Sequence, residues 1–152
     1  MFEHGDLLRG QIPVGLLASL GNIAVHAVIM SLLTWTAHRA ALATQTANAR
    51  MRLVLVMTAT VTVLMAAHLM EIGIWGLTYV AVGVVEGPGD AFYFAFVNYT
   101  TLGYGDVLPV KRWRLLGPMA AMNGVLLFGW STAVIYDILR TTTRAIPITP
   151  SE

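Results

Sequence analysis

Three long stretches of this chain are almost free of charge, and its polar residues gather between them. The first runs from about residue 12 to 37, broken only by Gly15, Gly21, Asn22, His26 and a few hydroxyls. The second runs from Leu53 to about Val82 and carries His68 and Glu71 inside it. The third covers about Trp113–Leu139. A helix rises about 1.5 Å per residue, so about 20 apolar residues cross the hydrocarbon core of a bilayer. Each run is long enough to span, and the second and third must tilt or project beyond the core. Between them lies a punctuated stretch, Glu86-Gly-Pro-Gly-Asp90, in which Asp90 is placed to cap a helix from Ala91 to about Thr100 or Thr101. That helix is too short to span. A short helix followed by extended backbone at membrane depth is stable only where protein or water surrounds it. The pattern predicts an all-α membrane protein with three transmembrane helices and a re-entrant loop before the third.

Composition sharpens this reading. With 57% hydrophobic and 11% charged residues, a soluble domain of this length could not hide its apolar surface, so the lipid bilayer is the expected partner. A net charge of +1, with no basic run longer than Lys111-Arg112, argues against a nucleic-acid partner. There are no cysteines, so disulfides and thiolate metal sites are excluded. The start, Met1-Phe-Glu-His-Gly-Asp6, is acidic and the first apolar run is longer than a signal h-region, so that run is read as a retained helix. The expected organisation is residues 1–49 as an N-terminal helix and linker, 50–140 as the main membrane domain, and 141–152 as a short polar tail. Within the central part the helices are expected at about 51–83, 91–101 and 113–139.

The segment after the short helix reads Thr100-Thr-Leu-Gly-Tyr-Gly-Asp106. Two glycines alternate with larger residues, which lets the backbone visit positive φ at intervals. A strand alternating in this way turns successive carbonyls toward one axis. Four such strands make stacked oxygen rings that replace the water around a potassium ion. Gly-Tyr-Gly-Asp alone would be only a turn, but seven positions, a preceding short helix and flanking spans say more. The motif resembles the selectivity filter of potassium channels. Residues 50–139 are similar to the pore domain of small bacterial channels of the two-transmembrane ion channel type, with one additional N-terminal helix.

The resemblance implies potassium ions held by the Thr101 hydroxyl and the carbonyls of Thr101, Leu102, Gly103 and Tyr104. Gly103 and Gly105 supply backbone freedom, Tyr104 points outward to brace the strand, and Asp106 caps the outer mouth. It implies a homotetramer in a bacterial plasma membrane, no cofactor beyond the permeant ion, and a channel rather than an enzyme. The re-entrant loop then enters from outside. That puts Arg39, Arg50, Arg52, Arg140 and Arg144 inside, Arg9, Lys111, Arg112 and Arg114 outside, the N-terminus outside and the C-terminus cytoplasmic. Leu102 stands where Val or Ile is commoner, Val97 where some relatives carry glutamate, and Tyr93-Phe94 where many carry paired tryptophans. Tyr93 keeps a hydroxyl for Asp106, while Phe94 has nothing to donate to Tyr104.

Several polar residues lie within the apolar runs. His68, Glu71, Trp75 and Tyr79 share one helix face, expected to pack behind the pore helix with Glu71 bonded to Asn98 or Thr100. His68 and Glu71 have metal-ligand spacing, but His26 lies in a different helix and no second such pair exists, so a metal site is not expected. Asn22 and His26 are expected to bond each other or a neighbouring helix. On the third span, Gly124 and Gly129 mark a bend or close packing and are expected, with the stripe that follows, at the cavity and gate. Phe128, Thr132 and Tyr136 form a stripe expected to line the cavity and gate, and Asp137 either draws cations to the inner mouth or is a solvated charge. No helix carries the repeated arginines of a voltage sensor, and the tail leaves no room for a cytosolic ligand domain. The leading expectation is a potassium-selective channel. The alternatives are a non-selective monovalent cation channel, a non-conducting channel subunit, and a membrane enzyme using His68 and Glu71.

Overall fold

The computed structural model describes residues 4–43 and 48–144. Four α-helices account for most of them: α1 (His4–Ala43), α2 (Ala49–Val82), α3 (Pro88–Tyr99) and α4 (Leu116–Arg144), with one 3-10 turn at Lys111–Trp113. No strand occurs among the described residues. Three stretches, Gly10–Ala40, Arg50–Val82 and Lys111–Arg144, are long and apolar enough to cross a membrane.

Cross-helix contacts define the topology. Gln11 Oε1 accepts from the Leu115 backbone N–H, Asn22 bonds Asn123, and His38 lies beside Asp137. The numbers rise together, so α1 runs parallel to α4. An Arg52 guanidinium N–H donates to the Thr142 carbonyl, Trp75 bonds Asn123, and the Tyr79 hydroxyl donates to the Leu116 carbonyl, so α2 is antiparallel to both. One end of the bundle therefore carries the start of α1, the 3-10 turn and the beginning of α4. The other carries Arg39, Arg52, Arg140 and Arg144.

The short α3 packs against α2 and α4 near the first of these ends. Tyr79 tilts against Phe94 at 5.4 Å between ring centroids, and Trp75, Tyr79, Ala91, Ala95 and Tyr99 are all fully buried. At Gly76 a Cβ would meet the Phe92 ring at 2.4 Å, so α2 and α3 approach closely there.

Several element limits differ from the sequence expectation. α3 begins at Pro88 rather than Ala91, with Gly87 at its cap and Asp90 inside the first turn. Proline at the first helical position is preset for the helix and needs no N–H bond, so it starts α3 before the aspartate. α3 ends at Tyr99, and Thr100 is its cap. α2 ends where Gly83, at φ 67°, lets the N–H groups of Gly83 and Val84 turn back onto the Val80 and Tyr79 carbonyls. α4 starts at Leu116, not residue 113, and continues to Arg144. Thus residues 141–144, expected in the tail, prolong the helix, while 145–152 lie outside the described residues, as does linker segment 44–47. The Arg9 side chain also lies outside the described part.

Candidate functional site

The C-terminal end of α3 delivers the chain into the segment that follows. Thr101 N–H donates to the Asn98 carbonyl, and the N–H groups of Leu102 and Gly103 both donate to Val97, at 2.9 and 3.3 Å. These bonds hold the N–H groups of the first three residues against the helix end. No hydrogen bond among the described residues is accepted by the carbonyls of Thr101 to Gly105. Residues 101–106 are all exposed in the single chain.

Backbone handedness alternates through this segment. Thr101, Gly103 and Gly105 have φ of 60°, 59° and 76°, and Thr101 is the one described non-glycine residue with positive φ. A left-handed threonine is disfavoured by its Cβ, so the surrounding bonds must hold it there. Alternation of this kind is what turns successive carbonyls to one side.

Tyr93 on α3 reaches forward to this segment. Its hydroxyl donates to Asp106 Oδ2 at 2.6 Å, and Asp106 Oδ1 accepts from the Val107 N–H at 3.1 Å. The hydrogen bond from Tyr93 holds the Asp106 carboxyl below the ordinary carboxylate range, and the carboxylate pushes the Tyr93 hydroxyl above its usual value. Phe94 is buried against Tyr79 instead of facing Tyr104, which is 68% exposed. A further bond, from Val110 N–H to the Val84 carbonyl at 2.9 Å, ties the segment after Asp106 back to the end of α2.

Behind α3 lies a buried polar cluster. Glu71 is fully buried, and its carboxylate receives the Tyr99 hydroxyl on Oε2. His26 Nδ1 lies 2.7 Å from Oε1 and His68 Nδ1 lies 2.9 Å from Oε2. His68 Nε2 is 3.0 Å from Ser131 Oγ. Glu71 therefore joins α1, α2 and α3, and His68 extends the chain of bonds to α4. The expected partners Asn98 and Thr100 serve elsewhere: Asn98 Nδ2 donates to Phe94 O and Thr100 Oγ1 to Phe96 O. Both turn back along their own helix, whereas the Tyr99 side chain faces α2. Val97 is buried, and the carboxylate that meets α3 comes from Glu71 on α2.

On α4, Gly124 serves close packing. A Cβ there would lie 2.1 Å from the Tyr99 carbonyl oxygen. Gly129 has no neighbour within 4 Å in the chain. Phe128 is half-buried and meets His68 and Tyr99 edge-on, at 4.6 and 5.4 Å between centroids, so it packs within the chain. Thr132 and Tyr136 are exposed. Asp137 Oδ2 lies 3.7 Å from His38 Nε2, both half-exposed.

Sequence reasoning passed over Tyr99, Asn123, Ser131 and Gln11. Asn123 Oδ1 accepts from both Asn22 Nδ2 and Trp75 Nε1. A signal was present for α1, because Gln11, Asn22 and His26 fall at intervals of helical turns and share one face. All three are buried.

Comparison with protein families matches residues 53–141 to the family described as Ion channel. The match covers more than half of the chain and includes most of α2, all of α3 and the Thr101–Asp106 segment, and most of α4. The chain belongs to the ion channel family. It is an integral membrane protein, with the channel family's membrane domain preceded by a helix, α1, outside the match. No curated protein and no solved structure matches the chain.

Proposed function

We propose that this ion channel is potassium-selective and conducts as a homotetramer, with Thr101 to Gly105 as its filter. The observation that carries the reading is left-handed backbone at Thr101, Gly103 and Gly105, coupled with carbonyls that accept no hydrogen bond among the described residues. Unsatisfied carbonyls at membrane depth are costly unless something coordinates them. Rings of them around a fourfold axis replace the hydration shell of a potassium ion, the cargo of the channel. One such segment per chain needs four chains to close the ring. The Thr101 hydroxyl and the carbonyls of Thr101, Leu102, Gly103 and Tyr104 would then coordinate the ion.

In this reading Asp106 contributes to a ring of four carboxylates that concentrates cations at the outer mouth. Tyr104, exposed in the single chain, takes its bracing contact from a neighbouring subunit. The filter end of the bundle faces outward and the arginine-rich end inward, as the positive-inside rule favours. The membrane would be a bacterial plasma membrane.

The reversal potential of purified protein in planar bilayers, under opposed potassium and sodium gradients, tests the reading. Reversal near the potassium equilibrium value, with current abolished by Gly103→Ala, is expected. A Cβ at φ 59° costs about 1–2 kcal/mol in each subunit and disturbs the alternation. Reversal near zero would refute selectivity and favour a non-selective cation channel, in keeping with a Phe94 that offers Tyr104 no donor. Silence under every lipid, pH and tension tried would favour a non-conducting subunit.

A further inference from the structure

We infer that His26, His68 and Glu71 form a binding site for one divalent transition ion of the zinc class in each chain. Sequence spacing argued against this because His26 belongs to another helix. Folding removes that objection. One ligand atom from each of the three residues lies within 4.8 Å of the other two. A tetrahedral zinc ion, with bonds of about 2.1 Å, places neighbouring ligand atoms about 3.4 Å apart. The Glu71 oxygens are 2.7 and 2.9 Å from the two Nδ1 atoms, so opening these contacts by about 0.5–0.7 Å admits the ion.

The donor chemistry selects the class of ion. Two imidazoles and one carboxylate suit zinc, cobalt and nickel far better than magnesium or calcium, and leave a fourth position open. An imidazole that binds an ion through Nδ1 carries its N–H on Nε2. For His68 the relocated N–H meets Ser131 Oγ at 3.0 Å, and Tyr99 orients the Glu71 carboxylate. Outer partners of this kind fix the ligands of metal sites. His26 Nε2 has no hydrogen-bond partner, but the ring packs on Trp130 at 5.2 Å between centroids.

His68 also supplies a path to the site. It lines a cavity of about 350 Å³ between α2 and α4, together with Phe128, Ser131 and Thr132. His26 and Glu71 are fully buried behind it. An ion bound there would tie α1, which lies outside the family match, to α2. Through Glu71 and Tyr99 it would brace the end of α3, two residues before Thr101. Zinc would then act on the pore from behind, at a place no permeating ion visits.

Titration of the purified full chain, stripped by chelator, with cobalt followed by zinc tests the site without reading current. Its failure is therefore separable from failure of the channel reading. The expected result is one cobalt ion per chain with intense four-coordinate absorption, displaced by zinc. His26→Gln and His68→Gln should each weaken binding about tenfold or more, while His38→Gln leaves it unchanged. Absence of saturable binding overturns the inference, as does unchanged affinity in a folded His26→Gln protein. X-ray absorption of zinc on the unaltered chain needs no variant: two imidazole ligands are expected, and one or none overturns it.

Discussion

Replacing Gly124 by alanine is the sharpest probe of how α4 holds α3. The added methyl would sit 2.1 Å from the Tyr99 carbonyl oxygen, 3.1 Å from its carbon and 3.3 Å from Tyr99 Cγ. The nearest obstacle is backbone, so no side chain can swing aside, and α3 and α4 must separate by about 1 Å to reach ordinary contact. Overpacking of this kind costs about 1–3 kcal/mol, and a backbone clash belongs at the upper end. Alanine recovers about 1 kcal/mol through its better helix propensity. The net expectation is a loss of about 2 kcal/mol, roughly thirty-fold in the unfolding equilibrium. Unfolding of the purified protein in mixed detergent, followed by circular dichroism, measures it. Gly21→Ala is the control, because a Cβ there meets nothing within 4 Å, and equal or slightly greater stability is expected. The Tyr99 carbonyl lies two residues before Thr101, so conduction in liposomes should fall in Gly124→Ala and persist in Gly21→Ala. If the two variants unfold together, the close approach of α3 and α4 does not exist and the reasoning fails.

Two further predictions concern the hydrogen bonds. Tyr93 holds the Asp106 carboxyl low, so that interaction is fully present above the ordinary carboxylate range and is lost as pH falls through the lowered value. Tyr93→Phe should therefore move the midpoint of external acid block to higher pH. An unmoved midpoint would show that the bond does not set the charge at the mouth. Asn123→Leu strands the buried Trp75 and Asn22 donors, with an expected loss of about 2 kcal/mol in the same unfolding assay. Adding Asn22→Leu should recover part of that loss, and an additive pair of effects would count against the shared acceptor.

The alternating segment after α3 was legible because backbone handedness is a local property. Gly103 and Gly105 announce positive φ at their own positions, whatever surrounds them. The left-handed Thr101 was not legible, since threonine disfavours that conformation. It is held there by α3-end carbonyls, with Thr101 on Asn98 and the next two N–H groups on Val97. The Tyr93–Asp106 bond was also anticipated, but only through the resemblance, which sets Tyr93 where many potassium channels carry one of the paired tryptophans. The start of α3 was misplaced because aspartate is a common cap, and the Gly87-Pro88 pair won that competition.

Bilayer thickness varies by only a few ångströms, so length and hydropathy alone determined that three helices are able to span and that the short α3 is not. Helical periodicity likewise put His68, Glu71, Trp75 and Tyr79 on one face. Periodicity names a face but not what covers it, and that was left to the packing of the helices. His26 meets Glu71 across 45 positions of sequence, and Asn22 meets Asn123 across 101. Lipid offers neither pair a hydrogen bond, so buried polar groups on separate helices find each other only when the bundle closes. The same closure set Phe128 against His68 and Tyr99, and brought Gly124 onto the Tyr99 carbonyl. Which helices touch, and at what register, depends on the fit of whole surfaces, and no single segment of sequence contains that information.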